Sequence, residues 1–164
     1  MSLDSPEYRI GLGRDTHRLT RGRRFLLGGV QLEADFGEDG HSDGDVLCHA
    51  VIDAMLGAAG LGDIGELFPS GDSRWKDACS IDLLKQCAGK LTADSWNIVN
   101  IDSVVSCEHP AVLPYRAAIR KSLSQALGVR ESQVFVKGKT GEGLGDVGQG
   151  RAVEAFAVCL LKRG

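Results

Sequence analysis

Apolar and polar positions change period several times along the chain, and each change marks an element. Tyr8 to Arg14 alternates, which predicts a short strand. Phe25-Leu26-Leu27 and Val30-Gln31-Leu32 flank Gly28-Gly29, the pattern of a hairpin with a glycine turn. Val46, Ala50, Ile52, Met55, Leu56 and Ala59 fall at helical spacing. They predict a helix capped by Ser42 or Asp43 and ended by Gly60 and Gly62. Leu61 to Asp72 carries Pro69 and Gly71 and reads as a loop. Leu83, Leu84, Cys87 and Leu91 give the inward stripe of a second helix, starting at Ser80. Asn97 to Ser106 is a strand with apolar residues on both faces. A third helix spans Leu113 to Leu127 and stops at Gly128. Val134 to Val136 and Ala152 to Leu161 are the remaining strands.

Strands and helices interleave without a linker, so the chain is a single α+β domain. The simplest arrangement is a mainly four-stranded mixed sheet with helices on one face. Residues 1–7 form a short N-terminal extension and residues 8–164 the domain. The strand from Ala152 to Leu161 is apolar on both faces. A sheet covered on one side only would leave the second face wet, so self-association is expected.

Composition narrows the function classes. The 164 residues suffice for a real core. No apolar run reaches the ~18 residues of a membrane span. A net charge of −3 gives no general attraction to nucleic acid. The five cysteines are odd in number and lack CxxC spacing, which excludes a disulfide framework and a cysteine zinc site. Free thiols point to a reducing compartment. The N-terminus has no signal or transit character, so the chain reads as cytoplasmic, or plastid-type if a presequence was removed.

Charge is unevenly placed. From Phe25 to Ser73 there is no Lys or Arg, but there are ten acids. Glu33, Asp35, Glu38 and Asp39 read as solvated loop residues. Within the same stretch His49 sits on the predicted helix, while Asp15-Thr16-His17 follows the first strand. Residues two apart in an extended segment point to the same side. Asp15, His17 and His49 read either as a three-ligand set with a fourth position open, the pattern of a catalytic zinc, or as a turn pair and a satisfied core histidine. Asp45 and Asp53 flank His49 at helical i±4 spacing and are the expected partners of its second nitrogen. His41-Ser42-Asp43 stands at the predicted helix N-terminus, where free N–H groups favour phosphate.

Two weaker motifs fail. Gly138-Lys139-Thr140 lacks the earlier glycine of a P-loop, because that position is Gln133. Gly11-Leu12-Gly13 is followed by Thr16 where a dinucleotide fingerprint needs glycine. The glycines from Gly141 to Gly150 read either as a flexible connection or as backbone that approaches phosphates.

Several segments together resemble the 2-C-methyl-D-erythritol 2,4-cyclodiphosphate synthase family. They are Arg9 to His17, Gly28-Gly29-Val30, His41-Ser42-Asp43-Gly44-Asp45 running on to His49, Leu61 to Gly65, Leu67-Phe68-Pro69, Leu113-Pro114 and Lys139-Thr140-Gly141-Glu142. The resemblance covers nearly the whole chain in the right order. It implies a homotrimer with active sites between neighbouring subunits. It implies cyclisation of 4-diphosphocytidyl-2-C-methyl-D-erythritol 2-phosphate with release of CMP, in non-mevalonate isoprenoid precursor synthesis.

The resemblance also assigns roles. Asp15, His17 and His49 match ligands of Zn2+, and Asp15 and His17 also face the substrate. Glu142 matches a ligand of Mg2+ or Mn2+ held with the substrate. His41 and Thr140 match the transition-state stabilisers, and His41 and Ser42 the phosphate and methylerythritol end. Asp63, Ile64 and Gly65 match a loop that binds substrate hydroxyls, and Phe68, Pro69, Ser70, Gly71 and Asp72 continue its wall. Cys107, Glu108, His109, Pro110, Ala111, Val112 and Leu113 match the cytosine pocket. Lys139, Gly141 and Arg151 are further substrate-binding matches. Ala111, Gly141 and Asp146 depart from the commoner lysine, small hydroxyl residue and phenylalanine. Two other readings use the same residues: a metal-dependent phosphohydrolase on a nucleotide-linked substrate, and a non-catalytic nucleotide- or prenyl-phosphate-binding trimer.

Overall fold

The computed structural model describes residues 5–40 and 42–164. Strand β1 spans Glu7–Arg21, and the hairpin strands β2 and β3 span Phe25–Leu27 and Val30–Leu32. A short strand β4 (Phe36–Asp39) leads to helix α1 (Val46–Ala59) and the single-turn helix α2 (Ile64–Leu67). Helix α3 (Ser80–Ala93), strand β5 (Asn97–Ser106), helix α4 (Arg116–Leu127) and strand β6 (Val134–Lys139) follow. A helical turn α5 (Gly145–Gly148) precedes the last strand, β7 (Ala152–Arg163).

The main sheet has the order β4-β1-β7-β5-β6. Its four long strands are the expected ones, and β4 adds a fifth at the edge. β5 and β6 are parallel and the other pairs antiparallel, so the sheet is mixed. β1 continues well past Arg14, where the local alternation fades. The reason is backbone pairing: Glu7 to Arg18 pair with β7, and Arg18 to Arg21 pair with β4. Tertiary pairing here overrides local pattern. No helix among the described residues is long and apolar enough to cross a membrane.

Helix α1 is the centre of the core. It starts at Val46, and its cap is Asp45 rather than Ser42 or Asp43. The Asp45 carboxylate accepts from Cys48 N at 3.0 Å, Gly28 N at 2.9 Å and Gly29 N at 2.6 Å. Gly28 and Gly29 have φ of 58° and 76°, the left-handed values a two-residue hairpin turn needs. One buried carboxylate therefore caps the helix and closes the β2–β3 turn. Burial pushes Asp45 up from the usual carboxylate range, against these three N–H donors. Nearly all of α1 is buried, beyond the predicted stripe, because β1 and β7 cover one side and α3 another.

The approach of α1 to the sheet is backbone to backbone. A Cβ on Gly11 would lie 2.0 Å from the Ala54 carbonyl oxygen, and one on Gly13 1.9 Å from that of Ala50. Only glycine in the strand and alanine on the helix permit this spacing. It is what brings His49 of α1 beside Asp15 and His17 of β1. By alternation Tyr8, Ile10 and Leu12 point the other way. Ile10 and Leu12 are 72% and 68% exposed, and Val158 and Phe135 share their face.

Candidate active site

The predicted ligand set converges. Asp15 Oδ2 lies 2.9 Å from His49 Nδ1 and 3.1 Å from His17 Nε2. The three ligand atoms all lie within 4.8 Å of one another, close enough to hold one metal ion. The second nitrogen of each imidazole is also engaged. His17 Nδ1 donates to the Gly44 carbonyl at 2.6 Å, which leaves Nε2 facing the cluster. His49 Nε2 lies 3.0 Å from both Ser42 Oγ and Ser80 Oγ. These donors, two imidazoles and one carboxylate with their outer nitrogens already tied, suit a divalent ion such as zinc.

Without a metal, the electrostatics favour an ion pair between Asp15 and His17. Burial pushes His17 down, but hydrogen bonds to Asp15 and Glu38 outweigh it and raise it to about 10. Burial pushes Asp15 up, and in the metal-free state the His17 and His49 imidazoles beside it carry it well below the usual carboxylate range. Glu38, read as a solvated loop residue, is instead 1% exposed. Its Oε2 accepts from Val46 N at 2.8 Å, and burial drives its carboxyl up to about 8. The strand β4, which the sequence pattern missed, carries it inward.

A cavity of about 360 Å³ opens on the imidazoles. His17, Ser42 and His49 line one side, and Ile64, Gly65, Phe68, Pro69, Ser70, Gly71, Trp75 and Leu83 the other. The segment predicted as a loop contains α2, because Asp63 Oδ1 accepts from Glu66 N at 2.9 Å. Asp53 Oδ1 accepts from Ile64 N at 2.8 Å and fastens this wall to α1. Asp53 and Asp45 thus serve backbone amides, and neither partners His49 as the spacing had implied. Phe68 and Trp75 meet edge to face at 4.9 Å.

The other predicted residues form a second group. Cys107, Ala111, Val112, Leu113, Arg116, Gly138, Lys139 and Thr140 line a separate cavity of about 200 Å³. Cys107 N donates to Lys139 O at 2.9 Å, and Gly141 N to Glu108 Oε2 at 2.9 Å. Thr140 Oγ1 donates to Glu142 Oε1 at 2.5 Å. Glu142 has φ of 52°, a strained value for a non-glycine residue. A Cβ on Gly141 would lie 2.3 Å from Gly148 N, so the turn α5 excludes a side chain there. Both groups sit at the same end of the sheet, the first on β1 and α1 and the second at the ends of β5 and β6, with β7 between β1 and β5. Strand spacing separates them by roughly 14 Å. Arg151 joins neither group: its Nε donates to Asp146 Oδ1 at 2.8 Å, beside a cavity shared with Arg18 and Leu19. His41 lies outside the described residues.

A sequence model of the YgbB family matches residues 8–162. The chain belongs to the YgbB family. It is 51% identical over 153 residues to the 2-C-methyl-D-erythritol 2,4-cyclodiphosphate synthase of Treponema denticola, covering 93% of this chain and 95% of that one. It is similar to the solved bifunctional IspDF from Campylobacter jejuni, with a TM-score of 0.94 and 39% identity. That match covers 98% of this chain and 43% of the bifunctional one. A CDP complex of IspF from Plasmodium falciparum matches with a TM-score of 0.83 and 36% identity, over 94% of this chain and 95% of that chain.

In this YgbB-family chain, several residues at the first group had escaped sequence reasoning. Gly44 acts through its carbonyl, which leaves no residue-type signal. Ser80 had been placed only as the start of α3, a position where serine is common. Trp75 and Leu83 complete the cavity wall from beyond the Asp63 loop.

Proposed function

We propose that the chain converts 4-diphosphocytidyl-2-C-methyl-D-erythritol 2-phosphate to 2-C-methyl-D-erythritol 2,4-cyclodiphosphate with release of CMP. This is a cyclising phosphorus–oxygen lyase step of non-mevalonate isoprenoid precursor synthesis. One observation carries it: Asp15, His17 and His49 converge, with both imidazoles lining a cavity, in a chain about half identical to a synthase of that name. An oxygen of the 2-phosphate bonds to the β-phosphorus. The bond from that phosphorus to the oxygen leaving with CMP breaks, and no water is consumed. Such a reaction asks for positioning and charge neutralisation rather than a side-chain nucleophile.

When bound, Zn2+ at Asp15, His17 and His49, and Mg2+ or Mn2+ at Glu142, would neutralise charge on the phosphate oxygens. The chain's own residues do the rest. Asp63, Ile64 and Gly65 hold the substrate hydroxyls, and His41 and Ser42 the phosphate end. Phe68, Trp75 and Leu83 keep water from one wall. The backbone from Cys107 to Leu113 takes the cytosine, and Lys139, Gly141 and Arg151 contact the substrate. His41 and Thr140 steady the transition state.

Purified protein given the diphosphocytidyl substrate with zinc and magnesium is expected to release one CMP per cyclic product. Linear phosphates in place of the cyclic product would establish hydrolysis instead. CMP released beyond one per subunit would exclude a non-catalytic binding protein.

The assembly follows from the same reading. We place the two residue groups of neighbouring subunits together in a homotrimer, each site shared between two chains. The exposed Ile10, Leu12, Val158 and Phe135 support this, as an apolar face that association would cover. A sedimentation mass of one chain would overturn it. The five free cysteines, four of them buried, suit a reducing compartment such as the cytoplasm.

A further inference from the structure

His49 must present one particular nitrogen to the cluster, and the fold carries a device that selects it. Ser80, the first residue of α3, is fully buried. Its Oγ lies 2.5 Å from Asp43 Oδ1, and its backbone N–H donates to Asp43 Oδ2 at 3.0 Å. A carboxylate only accepts, so the Ser80 hydroxyl proton is committed to Asp43. The lone pairs of Ser80 Oγ then face His49 Nε2, 3.0 Å away, and Nε2 is the nitrogen that carries a proton. In a neutral imidazole that leaves the lone pair on Nδ1. Nδ1 is the atom turned toward Asp15 and the ligand triangle. Ser42 Oγ lies equally near Nε2, but it accepts from Gly44 N at 3.2 Å and its own proton is free to turn either way.

We propose that Ser80, oriented by Asp43, is a positioning residue that fixes the His49 tautomer offering Nδ1 to a divalent cation. The chain of contacts runs carboxylate, hydroxyl, imidazole, ligand atom. It ties the segment before α1 to the start of α3, so the ligand geometry is set by the packing of two helices. Asp43 is itself held, its N–H donating to Ala78 O at 3.0 Å. This inference rests on the metal reading of the site.

The test is zinc affinity, measured by chelator competition on folded protein, with thermal unfolding of the zinc-free form alongside. Ser80→Ala is expected to bind zinc roughly 10- to 100-fold more weakly than the parent. Ser80→Thr keeps the hydroxyl and is expected to restore affinity. Asp43→Asn can donate to Ser80 Oγ, which turns the serine proton toward Nε2, so it too should weaken zinc. It decides the matter if the threonine variant does not fold. Unchanged affinity in both Ser80→Ala and Asp43→Asn overturns the proposal. So does a loss seen in Ser42→Ala and absent from Ser80→Ala. A parent protein that takes up no stoichiometric zinc overturns the metal reading itself, which is a separate result.

Discussion

His17→Ala is expected to abolish stoichiometric zinc uptake and to slow CMP release by at least roughly 100-fold, the scale of removing one preorganised charge-stabilising group. The substitution removes Nε2, one of the three converging ligand atoms. It leaves Asp15 and His49, and two ligands do not make a closed seat for a tetrahedral ion. The fold should survive, because β1 stays paired with β7 through its backbone at this position. Elemental analysis of the purified variant checks the first part, and product formation the second. Zinc retained in full would refute the ligand assignment, whatever the activity.

Gly13→Ala should cost about 3 kcal/mol or more, the upper end of what overpacking a core costs. A methyl group at this point meets the Ala50 carbonyl oxygen at 1.9 Å, and that oxygen is fixed within a helix. Only separation of α1 from β1 relieves the clash. The same separation draws His49 away from Asp15 and His17, so zinc affinity should fall together with the urea midpoint. Gly57→Ala is the matched comparison, because a Cβ there meets nothing within 4 Å. It should be neutral or stabilising by up to ~1 kcal/mol, since alanine favours a helix interior. A Gly13→Ala protein as stable as the parent would mean that the strand and helix are not in backbone contact.

What could be read from residue order was mostly what is written in periodicity and in side-chain type. Asp15 and His17 were legible as a pair because strand alternation is a strict rule, and His49 because its helix was strongly patterned. The Gly28-Gly29 turn was legible for the same reason: few residues satisfy that backbone. The part that stayed hidden depends on contacts between distant segments. Asp45 looked like a partner for His49, but three amide donors from two elements claim it. Glu38 looked like a solvated loop residue, and only the pairing of β4 against β1 turns it inward. The 3₁₀ turn Leu113–Tyr115 opens what had looked like one continuous helix, where Pro114 restricts the backbone. The separation of the predicted residues into two groups was not legible at all, because motif order says nothing about which strands lie between.

The first and last strands lie side by side in the main sheet. Glu7 pairs with Arg163 beside β1, and Arg163 Nη2 donates to Glu7 Oε2 at 2.7 Å. β7 is the last strand in sequence, yet it is the one that joins β1 to β5. Loss of the final dozen residues would remove the centre of the sheet, not an edge. The same geometry leaves Glu7 and Arg163 about 33 Å along the strands from His17. A second enzyme fused at either terminus would hang from the far end and leave the mouth of the cavity clear.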